Sequence, residues 1–522
     1  MHPVLIDGQW RASESTDTFQ AINPSSGETL PDEYPVSDAA DVTAAAEAAG
    51  RAFIACRDWP GERFAAFLDA YAAKIEANGQ ALAEKAHEET GLPVSPRLLD
   101  VEVPRTFNQM RAAAECARTA SWSLPTIDTA AGIRSMLGPV GPVAIFGPNN
   151  FPLAINPIAG NDFAAAVAAG CPVIAKGHPL HPGTTRLFAE LAQQAAEETD
   201  MPAGFVQLLY HMPNKQGTAL LERSEIAAAA FTGSRGGGLA LKAVADKHGK
   251  PFYAEMSAIN PVYVLPGALK ERGEELVDEF FGSCTLGAGQ FCTNPGLIVL
   301  IKGEATDAFV NAAAEKFAAA GPMTTLGHGV TEHYEKSLAT IQSAGAEVVA
   351  RGSEHDGPGC RAVPTLLKTD AQTLLGNDEV LTEAFGPSSL LVLCDDLEQA
   401  VAVADAQEGN LTGCVYSAKD GGDDSAYNAI APSLRTRVGR LLNDKMPTGV
   451  AVSRAMNHGG PFPASGHPHF SSMGLPQSPR RFGALHSYDN VREPRLPAVL
   501  RDKNPGGISR DIDGKWTTDD VA

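Results

Sequence analysis

Short apolar runs broken by Gly, Pro and Ser fill the first 35 residues and predict short strands. Ser37 or Asp38 can cap an alanine-rich helix reaching about Arg57, and helical patterns continue to about Arg118. The period then changes. Val140-Gly141-Pro142-Val143-Ala144-Ile145-Phe146 predicts a buried strand, followed by a Pro/Asn loop and a helix. Further strands are predicted at Cys171–Lys176, Phe205–Leu209 and Ala227–Thr232, with a helix from about Gly183 to Glu198 and another after a glycine-rich turn at 233–238. Strands alternating with helices predict βαβ units and a mostly parallel sheet, which binds ligands at the carboxyl ends of its strands. A second apolar α/β region runs from about Met256 to Asn443. From Lys445 the chain is rich in Gly, Pro, His and Ser and has few periodic stretches.

A chain of 522 residues exceeds one small core and implies two or three domains. A formal charge of −21 speaks against nucleic acid as a partner and disfavours anionic membranes. No apolar run reaches the length of a membrane span, and the N-terminus has no secretory pattern, so a cytoplasmic protein is expected. The eight cysteines are scattered without CxxC spacing and read as reduced thiols, seven of them core filler. Cys292 is the exception. It stands in Gly289-Gln290-Phe291-Cys292-Thr293-Asn294-Pro295-Gly296, small residues that can hold a thiol rigidly and leave it reachable. Glu255 ends the strand-like run Lys250-Pro251-Phe252-Tyr253-Ala254 and can activate water. Thiol and carboxylate together suggest attack by sulfur followed by hydrolysis.

Other motifs carry two readings each. Phe231-Thr232-Gly233-Ser234-Arg235-Gly236-Gly237-Gly238 closes a strand and opens a helix, a place for a pyrophosphate or merely a turn. Lys176, at a strand's carboxyl end, is a solvated charge or a contact for a ribose or phosphate oxygen. Asn149-Asn150-Phe151-Pro152 is a turn or a source of one amide donor for an oxyanion. His458, His467 and His469 lie in a Pro/Gly loop without a nearby carboxylate cluster, so no metal site is expected.

In their order, these motifs resemble the NAD(P)-dependent aldehyde dehydrogenase superfamily over almost the whole chain, with Gly147-Pro148-Asn149-Asn150-Phe151-Pro152, Lys176, the segment ending at Gly238, Glu255, Gly289-Gln290-x-Cys292 and Glu383-Ala384-Phe385-Gly386-Pro387 carrying the match. Within it, Gly287–Gly296, Ile259–Leu269, and Pro447–Val450 leading to His458–Ala464 are most similar to 2-oxoglutarate semialdehyde (2,5-dioxovalerate) dehydrogenases. The Lys-Gly-His run is shared with NADP-dependent fatty aldehyde dehydrogenases.

The resemblance implies an α/β architecture: a Rossmann-like parallel-sheet cofactor domain (1–120 and 139–255), an α/β catalytic domain (256–444) and a small bridging or oligomerisation element with the tail (121–138 and 445–522). It implies a homodimer or homotetramer acting on a small aldehyde. It makes Cys292 the nucleophile, Glu255 the base for deacylation, and Asn150 with the Cys292 amide the oxyanion hole. For the cofactor it implies Lys176 at the adenosine ribose or its phosphate; Gly233, Ser234 and Gly238 at the pyrophosphate; Glu383 at the nicotinamide ribose; Phe385 beside the nicotinamide; and Phe146 and Pro148 as cleft walls.

Where NAD-preferring relatives carry a glutamate three positions after the lysine, this chain has Pro179. Lys176 and His178 are then available to a 2′-phosphate, so NADP is expected as the preferred cofactor, with NAD also usable. Arg105 is a candidate clamp for a distal carboxylate, alternatively a surface arginine; Phe151 is assigned to the substrate side, and Arg111 to structure. Met256-Ser257-Ala258 departs from the usual Leu-Gly-Gly and is expected to restrict movement of Glu255. The alternatives are a broad-specificity or fatty aldehyde dehydrogenase, a CoA-acylating relative, which Glu255 disfavours, and a non-catalytic scaffold.

Overall fold

A computed structural model describes residues 1–354, 357–469 and 471–521. Its first sheet orders the strands Phe252–Glu255, Ala228–Thr232, Val143–Phe146, Val173–Lys176 and Val206–Leu209, all parallel. The hairpin Val4–Ile6/Gln9–Arg11 closes one edge antiparallel. The predicted strands lie within one to three residues of those observed. The helix Ala39–Cys56 starts at Asp38, whose side chain accepts from the amides of Ala40 and Asp41. The short helix Asn214–Glu222, absent from the sequence reading, packs on the helices Ala39–Cys56 and Arg235–Lys247.

Strand order reverses between Val143–Phe146 and Ala228–Thr232. A crevice opens outside the carboxyl ends of strands at such a point. The loop with Asn150 leaves one of these strands and the glycine-rich turn leaves the other.

The second sheet runs Glu347–Arg351, Thr365–Asp370, Ser388–Cys394, Leu297–Ile301, Pro261–Val264, Asn410–Tyr416, Val438–Asn443, parallel except for the first pair. Alternate residues feed two separate apolar cores. Tyr263, Leu297, Val299, Leu390 and Val392 fill one; Val262, Val264, Ile298, Leu300 and Leu391 fill the other. A sheet buried on both faces reads as continuous apolar runs, as these strands do.

A third sheet joins Gly483–Asp489, Ile133–Pro139, Thr126–Asp128, Arg510–Ile512 and Lys515–Thr517. The strand Gly483–Asp489 was hidden in the apparently aperiodic tail. It does not alternate, and Leu485 stands 70% exposed on an edge strand with one neighbour, Ile133–Pro139. Among the described residues no helix is long and apolar enough to cross a membrane. All eight cysteines are free; seven are buried and Cys292 alone is partly exposed.

Candidate active site

The site lies where the carboxyl edge of the first sheet meets the amino edge of the second. Glu255 is the last residue of its strand. Cys292 precedes the strand Leu297–Ile301, so the thiol comes from an amino end and not from the carboxyl end that parallel sheets commonly use. Gly287, Ala288 and Gly289, at φ 55°, 58° and 68°, turn the chain into this loop. Gly289 has no substitute: a Cβ there would lie 2.0 Å from the carbonyl oxygen of Gly386, which sits beside Glu383 and Phe385. Asn260, itself at φ 52°, holds the loop from below. Its side-chain amide donates to the carbonyls of Cys292 at 2.8 Å and Asn294 at 3.0 Å, while its oxygen accepts from Thr412.

The segment 464–466 pairs with the end of the Glu255 strand: Met256 N donates to Ala464 O at 2.8 Å and Gly466 N to Ala254 O at 3.1 Å. This pairing carries His458 into the site. Its Nε2 lies 3.5 Å from Cys292 Sγ and 2.8 Å from Glu255 Oε1. His458 is fixed by Ser471, which accepts from its backbone amide at 2.9 Å, and by Ser472, whose hydroxyl reaches both the His458 carbonyl and Glu255 Oε2 at 3.0 and 3.2 Å. The expectation that no carboxylate stands near the histidines fails for His458. The reason is distance in sequence: only tertiary pairing brings Glu255 to it. His467 and His469 are outside this cluster.

The cluster's electrostatics are unequal. Burial, then the Glu255 charge, push the Cys292 thiol far up from its ordinary range. Burial also opposes ionisation of Glu255, but the adjoining His458 and the contacts of Cys292 and Ser472 outweigh it and hold the carboxyl below its usual value. At rest the charge sits on the carboxylate and the sulfur keeps its proton, with His458 Nε2 within reach of it.

Asn150 is buried and donates from Nδ2 to the carbonyl of Gln290, two residues before Cys292, at 3.0 Å. That nitrogen carries a second hydrogen for another acceptor. Glu102 pins the same loop by accepting from the amides of Leu153 and Ala154 at 3.1 and 3.0 Å. Arg97, which sequence reasoning missed, pairs with Glu102, donates to the Asn150 carbonyl at 3.2 Å and lies over Phe151 at 4.4 Å. No local signal marks it; apart from Glu102, its partners come from a loop far along the chain.

Arg105 is not a surface arginine. It is partly buried on the helix Val103–Arg118, meets Met473 sulfur at 2.8 Å and lies 5.5 Å from the Phe151 ring centroid. Its Nε has no hydrogen-bond partner. Burial lowers its pKa, while the charges of Glu102, Cys292 and Glu255 act in the other direction, which locates it on the thiol side. Phe151, Phe291 and Met473 form a small apolar cluster, the two rings edge-on at 5.3 Å. Arg111 points away, paired with Glu76 at the surface, as expected.

A cleft of about 450 Å³ is lined by Arg235, Ser257, Ala258, Glu383, Glu408 and Asn410. Ser234 caps the helix Arg235–Lys247 by accepting from Gly237 N, which leaves the amides of Arg235 and Gly236 without a helical partner, and Arg235 lines the cleft. Gly238 is required for close packing, since a Cβ would meet Met256 sulfur at 2.7 Å. Glu383 is pushed up to about 7 by burial, against hydrogen bonds from Ser257 and the Ala258 amide. The Ser257-Ala258 departure therefore contacts Glu383. Lys176 ends its strand with no hydrogen-bond or ion-pair partner among the described residues, and burial lowers it to about 8. Nearby, His178 Nδ1 accepts from Leu180 N at 3.2 Å, and burial, then Lys176, keep the ring neutral, a donor through Nε2 and not a cation. Phe146 is buried in the first core, and the Pro148 carbonyl accepts from His181 Nε2 at 2.9 Å. A partnerless lysine and a capped helix start at the carboxyl ends of the first sheet, with a buried carboxylate in the cleft, are the groups a dinucleotide could use: cation to phosphate, amides to pyrophosphate, carboxylate to ribose.

The family model described as aldehyde dehydrogenase family matches residues 10–460. Over 524 residues the chain is 39% identical to alpha-ketoglutaric semialdehyde dehydrogenase 2 of Azospirillum brasilense, covering 98% of each. It is 37% identical over 528 residues to alpha-ketoglutaric semialdehyde dehydrogenase of Acinetobacter baylyi, again 98% of each. Among solved structures, a mutant of aldehyde dehydrogenase C from Pseudomonas syringae with NAD+ and octanal superposes with a TM-score of 0.79 at 21% identity, over 94% of this chain and 96% of that one, a likeness of fold.

Proposed function

The chain belongs to the aldehyde dehydrogenase family and oxidises an aldehyde to its carboxylic acid with NAD(P); from that premise we propose that its substrate is 2-oxoglutarate semialdehyde or a closely related semialdehyde acid, and NADP its preferred cofactor. The observation carrying the substrate is Arg105, a partly buried cation with a partnerless Nε beside Phe151 on the thiol side. Two charge-assisted hydrogen bonds from one guanidinium suit a distal carboxylate. The names of the two relatives above agree with it. A long-chain aldehyde offers that cation nothing, which disfavours the fatty aldehyde reading.

Chemistry follows from the cluster. The Cys292 proton passes to His458 Nε2, and sulfur attacks the carbonyl carbon. The second Asn150 hydrogen and the Cys292 amide take the oxygen as it becomes an anion, support worth about 3 kcal/mol per donor. The nicotinamide cofactor, when bound, would supply the two-electron acceptor for the hydrogen that leaves the aldehyde carbon with its bonding pair as the carbonyl re-forms. Lys176, the amides after Ser234, and Glu383 would hold it, with Phe385 alongside. Cys292 is left as a thioester. Glu255 draws a proton from water, the water oxygen adds to the thioester carbon, and the carbon–sulfur bond breaks to release the acid. Water is the acceptor because Glu255 is present, which sets aside the CoA-acylating alternative; the intact Cys292–His458–Glu255 cluster likewise speaks against a scaffold.

Three expectations from the sequence remain part of the proposal: cytoplasmic location, supported by eight free cysteines; the three-part domain division, supported by the three larger sheets; and a homodimer or homotetramer built through the third sheet, supported by exposed Ile133, Leu485 and Trp516.

A panel of 2-oxoglutarate semialdehyde, succinate semialdehyde, glyceraldehyde and a long-chain aldehyde, followed by reduced-cofactor absorbance, tests the substrate. The highest kcat/KM is expected for 2-oxoglutarate semialdehyde, and a long-chain aldehyde at the top would refute it. R105A is expected to raise KM for the carboxylated substrate about tenfold or more, the value of a charged hydrogen bond, and to leave KM for propanal little changed. Equal effects on both would remove Arg105 from the substrate site.

Lys176 adds a pH dependence. Its folded value of about 8 means the cation is present below that pH and lost as pH rises through it. The kcat/KM for NADP is therefore expected to fall above pH 8, and that for NAD much less. K176A should remove the step and cut NADP preference about ten- to a hundredfold. A flat NADP profile to pH 9 or a tenfold preference for NAD would contradict the assignment.

A further inference from the structure

Glu255, Cys292 and His458 bring a carboxylate oxygen, a sulfur and an imidazole nitrogen within 4.8 Å of one another, and no second such group occurs among the described residues. Metal bonds of about 2.3 Å to sulfur and about 2.1 Å to nitrogen or oxygen put tetrahedral ligands about 3.4 to 3.6 Å apart. The Sγ–Nε2 spacing of 3.5 Å already matches. The Nε2–Oε1 spacing of 2.8 Å must open by about half an ångström, a small side-chain rotation. Oε1 is buried with the His458 ring 2.8 Å away and takes no hydrogen bond from any other group, so it keeps a lone pair for another partner. Ser471 and Ser472 brace His458 and Glu255 from outside, the support that metal ligands need. Thiolate, imidazole and carboxylate form a donor set for zinc and similar borderline cations with one open position; magnesium and calcium want oxygen alone. A dication also balances the two negative charges of thiolate and carboxylate, leaving the buried cluster neutral.

We propose that Glu255, Cys292 and His458 form a three-ligand site for a zinc-class divalent cation, and that its occupation reversibly arrests the enzyme by engaging Cys292. The step forms a metal–sulfur bond, releases the thiol proton to solvent and moves no electrons. Binding stands on the geometry alone; the arrest rests on the reading of Cys292 as nucleophile. Any zinc that reaches the site competes directly with the aldehyde for sulfur.

The full chain, freed of metal, is titrated with cobalt(II) alone and the cobalt then displaced with zinc. One cobalt per chain is expected, with a near-ultraviolet thiolate-to-metal charge-transfer band that zinc abolishes. The band should be missing in C292A, and affinity should fall at least about tenfold in both H458A and H458Q. Aldehyde oxidation should fall in step with zinc occupancy and return on adding a chelator. Absence of the band, its survival in C292A, unchanged affinity in both His458 variants, or full activity at full zinc occupancy would each overturn the proposal. Cofactor binding by the variants confirms that they are folded. Oxidation by the metal-free protein is measured first: an enzyme that turns over but binds no cobalt loses this inference alone, whereas a protein that binds cobalt but oxidises nothing keeps the site and loses the functional reading.

Discussion

C292A is expected to lower aldehyde oxidation by about four orders of magnitude or more, the loss typical of removing a nucleophile that acts as a unit with its base. The substitution removes one partly exposed sulfur from a loop held by Asn260 through backbone carbonyls, contacts that alanine leaves in place. Fold and cofactor binding should therefore persist while chemistry stops. The variant isolates the sulfur from its surroundings: Asn150, Glu255 and the cofactor cleft are all still present. Substantial steady-state oxidation by C292A would mean that some other group, or water directly, attacks the aldehyde. Stopped turnover together with lost cofactor binding would instead reveal a structural role for the loop.

E255Q is expected to separate the two halves of the reaction. Glutamine keeps the size of the side chain and its contact with Ser472, but it cannot take a proton from water. Deacylation should slow by about a hundred- to ten-thousandfold, the range of general base catalysis. Acylation depends on Cys292, His458 and Asn150 and should continue. Mixing enzyme, cofactor and aldehyde should then give a burst of one reduced cofactor per active chain, followed by a slow steady rate. A variant with no burst would place Glu255 in the first half-reaction, as the proton acceptor for the thiol. A variant with unchanged steady state would remove it from catalysis. The net effect on the neighbouring sulfur favours a visible burst: with the carboxylate charge gone, the largest cause after burial holding the thiol pKa up disappears.

The strands of the first sheet were legible because each is a short, continuously apolar run bounded by Gly, Pro or Asn, the mark of a strand buried on both faces. Asp38, one of the two residues read as a possible cap, was legible because a helix cap constrains residue type locally. Cys292 was singled out among eight cysteines by its small-residue surroundings, and it is the one that reaches solvent. What stayed hidden depends on contacts far apart in sequence. His458 lies in a loop without periodicity and gains its partners only when the segment 464–466 pairs beside Glu255. Arg97 sits in an irregular helical turn and is defined by Glu102, Phe151 and the Asn150 carbonyl. The strand Gly483–Asp489 does not alternate because its edge keeps apolar Leu485 outside. Resemblance located Arg105, but only packing against Met473 and Phe151 separates a buried cation from a surface one.

The central claim is that Cys292 carries the substrate as a thioester between oxidation and hydrolysis. E255Q quenched in acid during the burst, digested and weighed peptide by peptide, tests it most directly. The account predicts one acyl adduct per active chain, located on the Cys292 peptide, matching the substrate's acid less water and disappearing at the slow steady-state rate. An adduct on any other residue, or a full burst with every peptide unmodified, would contradict it.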